Sequence, residues 1–349
     1  MTPNLASIGI IANMTPDATL SSKQGAETEA KHAFTILRRL YLSVFLTSLP
    51  FGMLIFGLPL IARALGASTL AIGGLLAAYA LIVVALQPVV GYGLDHFGRR
   101  PFLLAGLLSY ACSNALFGLT ADVGGLLLAQ LVQGIGAGLL WLAALAVVSD
   151  LAHEDTLGQE YGRIEEMSIR GILVGTLVGL ALFYLLSGGA LDAVSGGGDS
   201  PLAGWRLLFL GYTVATLLAV VIVWRGVPES LERSADRPPK ASAVTKAQPL
   251  KTADRWRLSG QLRIFLGILI LTATAAALLS PILIKYLYDN VSTNLFMVAL
   301  AFLPATLAGS VLPSRLGGLS DRFGRRPPLI IRCRAESLPK ISGNRLDSM

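Results

Sequence analysis

The stretch Gly91-Tyr-Gly-Leu-Asp95-His-Phe-Gly98-Arg99-Arg100-Pro101 returns 226 residues later as Gly317-Gly-Leu-Ser-Asp321-Arg-Phe-Gly324-Arg325-Arg326-Pro327, with seven of the eleven positions identical. A recurrence at that distance predicts a chain built from two related halves. The first copy lies between two apolar runs of helix length, and the second follows one, so each reads as a tight turn at a membrane surface. Gly98 offers the positive φ that stops one helix and redirects the chain. Asp95 falls in the last turn of the preceding helix, where the macrodipole disfavours an anion. It therefore needs partners, and Arg99 and Arg100 are in reach along the chain. Gly91, one turn earlier, has no side chain and so admits a neighbouring helix.

The rest of the chain has the composition of a membrane protein. Of 349 residues, 54% are hydrophobic and 14% charged, against about a quarter charged in soluble domains. Mean hydropathy is +0.66. The net charge of +7 gathers at helix ends and in one linker, which points to membrane topology rather than to nucleic acid. Two cysteines and three scattered histidines make neither a disulfide framework nor a metal-ligand spacing. No glycine-rich phosphate loop followed by Lys and Ser/Thr is present, nor a Ser-His-Asp or His-Glu-x-x-His grouping. The expectation is a non-enzyme without cofactor or metal.

Apolar runs of spanning length lie near residues 40–62, 70–91, 102–120, 125–148, 166–187, 205–225, 264–286 and 294–314. All are expected to be helices, because backbone facing lipid must satisfy its own hydrogen bonds. Lys and Arg crowd one side of these spans, from Arg38, Arg39, Arg99 and Arg100 through the linker to Arg325 and Arg326, while the other side holds Arg63, Arg206 and Lys285. That asymmetry predicts a cytoplasmic N-terminus. Residues 1–37 are polar and poor in aromatics and read as a disordered cytoplasmic tail. Residues 229–262, basic and containing Arg237-Pro-Pro-Lys240, read as a flexible linker between bundles.

The pattern G-x-x-x-D-x-x-G-R-R after the second span, repeated after the eighth, resembles the loop signature of the major facilitator superfamily. The resemblance implies an all-α polytopic fold of two six-helix bundles and secondary transport of a small solute by alternating access. It divides this chain into an N-terminal six-helix bundle at 38–228, a partial C-terminal bundle of two helices with the loop motif at 263–327, and an aberrant tail at 328–349. Because Pro327-Pro-Leu-Ile-Ile331 opens a ninth apolar run that breaks into polar sequence, a frameshift or early stop near residue 331 is expected. The expected setting is the inner (cytoplasmic) membrane, as a multi-pass monomer in the lipid bilayer with a small-molecule substrate and a proton or other coupling ion.

The resemblance also assigns roles. Gly91, Asp95, Gly98, Arg99 and Arg100, with Gly317, Asp321, Gly324, Arg325 and Arg326, become a conformational latch on the cytoplasmic side. Ala129-Gln130-Leu-Val-Gln133-Gly134-Ile-Gly136-Ala-Gly138 resembles the family's fourth-span signature R-x-x-x-G-x-G-x-G, with Gln130 where an Arg linked to proton transfer would stand. Gln130 and Gln133 are candidates for substrate contact or for interhelical hydrogen bonds, and the three glycines for close packing. Span five opens Glu165-Glu166-Met-Ser-Ile-Arg170-Gly171. Its Glu166 and Arg170 are an i,i+4 pair, either a gating or coupling pair or an interfacial ion pair. Gly171, Gly175 and Gly179 form a face of small residues, resembling the exporter signature G-x-x-x-G-P-x-x-G-G except that Thr176 replaces its Pro and Leu180 its last Gly. Trp141, Tyr79, Asn114, Thr272 and Thr274 are further in-span candidates. Pro228-Glu229-Ser230, closing span six, faintly resembles the sugar-porter branch. Drug or metabolite efflux is expected ahead of sugar or organic-acid uptake, and a shortened non-transporting chain is the alternative.

Overall fold

The computed structural model describes residues 16–186, 199–229, 267, 271 and 302–323. Six of its helices are long and apolar enough to cross a membrane. They are α1 (Pro16–Ala64), α2 (Thr69–Phe97), α3 (Arg100–Leu119), α4 (Val123–Leu151), α5 (Leu157–Leu186) and α6 (Asp199–Gly226). Two shorter helices follow, α7 (Leu303–Gly309) and α8 (Leu312–Phe323). The protein is an all-helical polytopic membrane protein, and the first six spans fall where the apolar runs place them. Local chemistry sets several boundaries. Ser68 accepts a hydrogen bond from the Ala71 N–H at the start of α2, and Asp122 accepts one from Gly125 at the start of α4, as N-caps do.

Two expectations need correction. Residues 16–37 are not a disordered tail but the opening of α1. This segment carries Ala, Glu and Lys, all good helix formers, and a helix extending from a formed span needs no new nucleus. The eighth span is also not one continuous helix where it is described. It is interrupted after Gly309 and resumes at Leu312, running on to Phe323. Pro313 has no N–H to return to the preceding turn, so the backbone ladder opens there. Span seven, apart from Gly267 and Leu271, and the tail at 328–349 lie outside the described residues, as does nearly all of the linker.

α1 packs on α5 and α6, α3 on α4 and α6, and α2 on α4, while α8 lies along α5. The core has two apolar clusters. One, nearer the end that carries the Gly98 turn, holds Leu40, Val44, Leu107, Val147, Ile164 and Val223. The other, towards the opposite end, holds Met53, Ile61, Phe117, Leu126, Phe183 and Trp205. Between them the helices bury polar residues: Thr47 and Ser48 on α1, Ser113 and Asn114 on α3, Gln130 and Gln133 on α4, Ser168 on α5, and Thr216 on α6. The chain thus builds a polar belt at mid-depth between two greasy layers. Its members bond across helices, as Asn114 Nδ2 does to Thr216 Oγ1 (3.0 Å), Ser113 Oγ to the Ala129 carbonyl (2.9 Å), and Ser48 to Ser168 (3.1 Å). In hydrocarbon such groups are costly unless paired.

The small-residue face of α5 is where α1 approaches. A Cβ on Gly171 or Gly175 would strike the backbone carbonyls of Phe45 and Leu49, and one on Gly179 would strike the Tyr212 hydroxyl. On α4, Gly134 and Gly138 face α2, and Gly136 faces Gly106 and Tyr110 of α3. With no hydrophobic force between helices in lipid, this closeness supplies the dispersion contact that holds a bundle together.

Candidate functional site

The first copy of the repeated turn, and residues 317–323 of the second copy, can be followed at the basic end of the bundle. In the first copy Gly98 is buried with φ +90 and ends α2, as its position in the motif predicts. The following N–H groups, of Arg99 and Arg100, both donate to the Glu229 carboxylate, at 2.8 and 3.1 Å. Glu229, from the Pro-Glu-Ser after α6, thus serves the start of α3 as a capping anion brought from a distant part of the chain. A Cβ at position 98 would lie 2.5 Å from Glu229 Oε2. Gly98→Ala therefore combines an alanine held at φ 90, ψ 174, a region used essentially by glycine alone, at about 1–3 kcal/mol, with displacement of this cap. The expected result is a melting temperature several degrees lower, with Glu229→Gln falling by less, measured on detergent-purified chains by fluorescence-detected unfolding.

Arg99 and Asp95 do not form the expected close pair. Asp95 is 76% exposed and its Oδ1 is 4.0 Å from Arg99 Nη2. Arg99 instead donates from Nε to Asp150 Oδ2 at 3.0 Å, with both side chains nearly buried, and from Nη1 to the Leu94 carbonyl at 2.7 Å. Asp150 stands at the end of α4, 51 residues on, with no local motif to mark it. Arg100 donates from Nη2 to the Trp224 carbonyl, and Arg39 of α1 to that of Gly226. Two cations thus meet the C-terminal carbonyls of α6, where the macrodipole favours them. Gly91 meets only Leu142 Cδ2, at 3.9 Å. Among the described residues, then, a side-chain tip of α4 reaches the space it leaves, and no helix backbone does.

The second copy does what the first does not. Asp321, the counterpart of Asp95, accepts hydrogen bonds from the N–H groups of Gly158 (3.0 Å) and Gln159 (2.9 Å), the second and third residues of α5. A helix of the second half thereby caps a helix of the first with a carboxylate at its positive end. Gly317, the counterpart of Gly91, sits where α8 crosses α5. A Cβ there would strike the Gly158 carbonyl, and one on Gly162 would strike the Pro313 carbonyl. Gly324, Arg325 and Arg326 lie outside the described residues.

Further along the same crossing, Glu166 and Arg170 form the anticipated pair, Arg170 Nη2 to Glu166 Oε2 at 3.4 Å. Each also reaches across to the break in span eight. Arg170 Nε donates to the Ser310 carbonyl (2.9 Å), while Glu166 Oε1 accepts from the Ser314 N–H (2.9 Å) and hydroxyl (2.6 Å). In an unbroken helix the Ser314 N–H would return to the Ser310 carbonyl. The ion pair is inserted into that opened bond, cation on carbonyl and anion on N–H. Glu166 is 4% exposed while the Arg170 side chain is 40% exposed, so the pair clamps α5 to span eight with its carboxylate buried and its guanidinium partly open.

A cavity of about 210 Å³ opens inside the bundle, at the level of the polar belt. Its wall includes Thr47, Ser48 and Phe51 of α1, Tyr79 of α2, Tyr110 of α3, Trp141 of α4, and Glu165 and Ser168 of α5. Of the sequence candidates, Trp141 and Tyr79 are on this wall. Gln130 and Gln133 are buried outside its lining, and Gln133 Nε2 has no partner among the described residues. Thr272 and Thr274 are outside the described residues. Sequence reading stopped at Glu166 and passed over Glu165, because which of two adjacent carboxylates faces the cavity depends on the rotation of α5.

A family profile, Major Facilitator Superfamily, matches residues 40–334. Multidrug resistance protein 1 of Bacillus subtilis (strain 168) is 27% identical over 137 residues, covering 39% of this chain and 35% of that protein. Quinolone resistance protein NorA of Staphylococcus aureus is 25% identical over 140 residues, covering 40% and 36%. The aligned part thus spans about a third of the length of these relatives. Among solved structures, the human organic anion transporter MFSD10 (TETRAN) superposes with a TM-score of 0.56 at 19% identity, over 82% of this chain and 74% of that one. That likeness bears on the fold.

Proposed function

This chain belongs to the major facilitator superfamily, and from that premise we propose that it takes part in secondary transport of a small solute by alternating access, of the efflux type. The observation that carries the proposal is the Asp321 carboxylate of α8 on the first N–H groups of α5. A helix from the second half, closed onto the first at the basic end, is what an outward-facing carrier requires. The positive-inside asymmetry makes that end cytoplasmic, and the repeated turns there form the latch. Asp321 and Gly317 act in it directly. Gly98, Arg99 and Arg100, tied to Glu229 and Asp150, hold the first copy in shape, and Asp95 stands at the edge of ion-pair distance from Arg99. Efflux of a drug or metabolite is favoured over uptake because the relatives reported above are named for drug resistance. The bundle organisation follows the same premise: six helices, a junction within 229–262, then the helices of the second half.

Asp321→Asn tests the latch. The amide keeps one acceptor and loses the charge, so the closed state should weaken by about 1–2 kcal/mol. In proteoliposomes holding the full chain, solute flux should fall several-fold, and a cysteine at Gln159 should be labelled faster by a thiol reagent from the cytoplasmic face. Unchanged labelling and flux would remove the latch role. Absence of flux from the unsubstituted chain, across a panel of drugs and sugars, would remove the transport reading.

A further inference from the structure

We propose that the basic ends of α1 and α6 form a binding site for an anionic phospholipid, with Arg38 and Arg225 on its phosphate and the helix faces beneath them on its acyl chains. The inference goes beyond the transport reading and does not depend on it. α1 and α6 pack together, and Arg39 joins their ends. Its Nη1 donates to the Gly226 carbonyl at 3.1 Å, and its Cδ fills the place that a Cβ on Gly226 would take. Arg38 and Arg225 are the chain neighbours of this joint, so they stand at one level. Both are exposed, and among the described residues neither has a hydrogen-bond or ion-pair partner. The carboxylates at this end are already engaged, Glu229 on the N–H groups of Arg99 and Arg100 and Asp150 on the Arg99 side chain. Arg100 reaches the Trp224 carbonyl from the other side. Four arginines thus gather at the end of α6, two of them without a protein partner.

Depth and charge name the partner. Gly226 ends the apolar span of α6, so the joint lies where hydrocarbon gives way to head groups, on the side that the positive-inside asymmetry makes cytoplasmic. One helical turn into the membrane, Leu42 follows Arg38 and Val221 precedes Arg225, on the same helix faces and exposed. Trp224 is exposed at this boundary too, where tryptophan is enriched. A soluble anion would use the guanidinium groups and leave these apolar faces idle. A phospholipid uses both. Guanidinium forks match phosphate oxygens in pairs, and the acyl chains lie on Leu42 and Val221. A head group of net negative charge is preferred to a zwitterion, whose own cation would face the arginines.

Native mass spectrometry of the full chain released from detergent micelles tests this with three probes: dioleoylphosphatidylglycerol (anionic), dioleoylphosphatidylcholine (zwitterionic, same chains) and glycerol phosphate (no chains). Phosphatidylglycerol should bind at a concentration at least about tenfold lower than either of the others. Arg38→Gln or Arg225→Gln alone should weaken it about fivefold, and the two together should remove most of the preference. Arg38→Lys with Arg225→Lys should retain most of it. Arg206→Gln, at an exposed arginine near the opposite end of α6, should change nothing. Size-exclusion profiles matching the unsubstituted protein exclude misfolding, and the single variants decide the matter should the double one fail to fold. Equal affinity for the two lipids, glycerol phosphate binding as tightly as phosphatidylglycerol, an undiminished preference in the glutamine variants, or an equal loss in Arg206→Gln would each overturn the proposal. Proteoliposome flux is the separating arm. A lipid preference that depends on Arg38 and Arg225, without flux, leaves the site standing and removes transport. Flux without that preference removes the site and leaves transport.

Discussion

Glu166→Ala is expected to abolish solute flux in proteoliposomes and to lower the stability of the purified chain by about 3 kcal/mol. The carboxylate has three donors, the Ser314 N–H, the Ser314 hydroxyl and the Arg170 guanidinium, and is almost wholly out of solvent. Removing it leaves Arg170 without its counter-charge and frees the Ser314 N–H. That N–H is left without its acceptor inside a packed crossing, while Arg170 still holds the Ser310 carbonyl and Pro313 keeps the ladder open. A double-mutant cycle checks the argument. Arg170→Ala alone strands a buried carboxylate and should be nearly as damaging, yet Glu166→Ala with Arg170→Ala should be much less damaging than the two summed. Additive losses would show that the residues do not act as a unit.

Gly175→Val should prevent the bundle from assembling. Its Cβ would strike the Leu49 carbonyl oxygen and lie 2.6 Å from the Leu49 carbon and 2.7 Å from Cα. All three are backbone atoms, so no rotamer change relieves the clash. Neither helix can slide away, because α1 is tied to α5 by Tyr41 on Glu160 and by Ser48 on Ser168, and to α6 by Arg39 on Gly226. Even alanine must push the helices apart, at a cost of about 3 kcal/mol, since the whole seam loses dispersion contact at once. Gly211→Ala is the control. Nothing lies within 4 Å of a Cβ at that position, so the added helix propensity should leave the melting temperature unchanged or slightly higher. Thermal unfolding with size-exclusion profiles of the three chains decides the matter. A monodisperse Gly175→Val chain melting like the unsubstituted one would refute the packing argument.

Much of this protein is decided by residues acting within a turn or two of themselves. A run of twenty apolar residues in lipid has no low-energy alternative to a helix, so the first six spans are legible from composition and length. Gly98 is legible because a positive φ is a property of one residue. Glu166 and Arg170 could be seen as a pair because helical spacing alone brings them together. What sequence could not disclose is every relation between rigid helices far apart in the chain. Asp150 and Glu229 take the roles that spacing offered to Asp95, because Arg99 is turned by the packing of α2 against α4 and the chain after α6 returns to the start of α3. Gly317 is pressed into a crossing while its twin Gly91 is not, although their local sequences match, because the α5 backbone meets one and only the tip of Leu142 on α4 meets the other. The same cause separates Glu165 from Glu166, adjacent in sequence and about 100° apart around α5, one on the cavity and the other in the clamp. Helix formation and membrane insertion were settled by local chemistry. The pairing of charges and the location of the cavity waited on how the finished helices came together, since side-chain partners are chosen by distance in space and not along the chain.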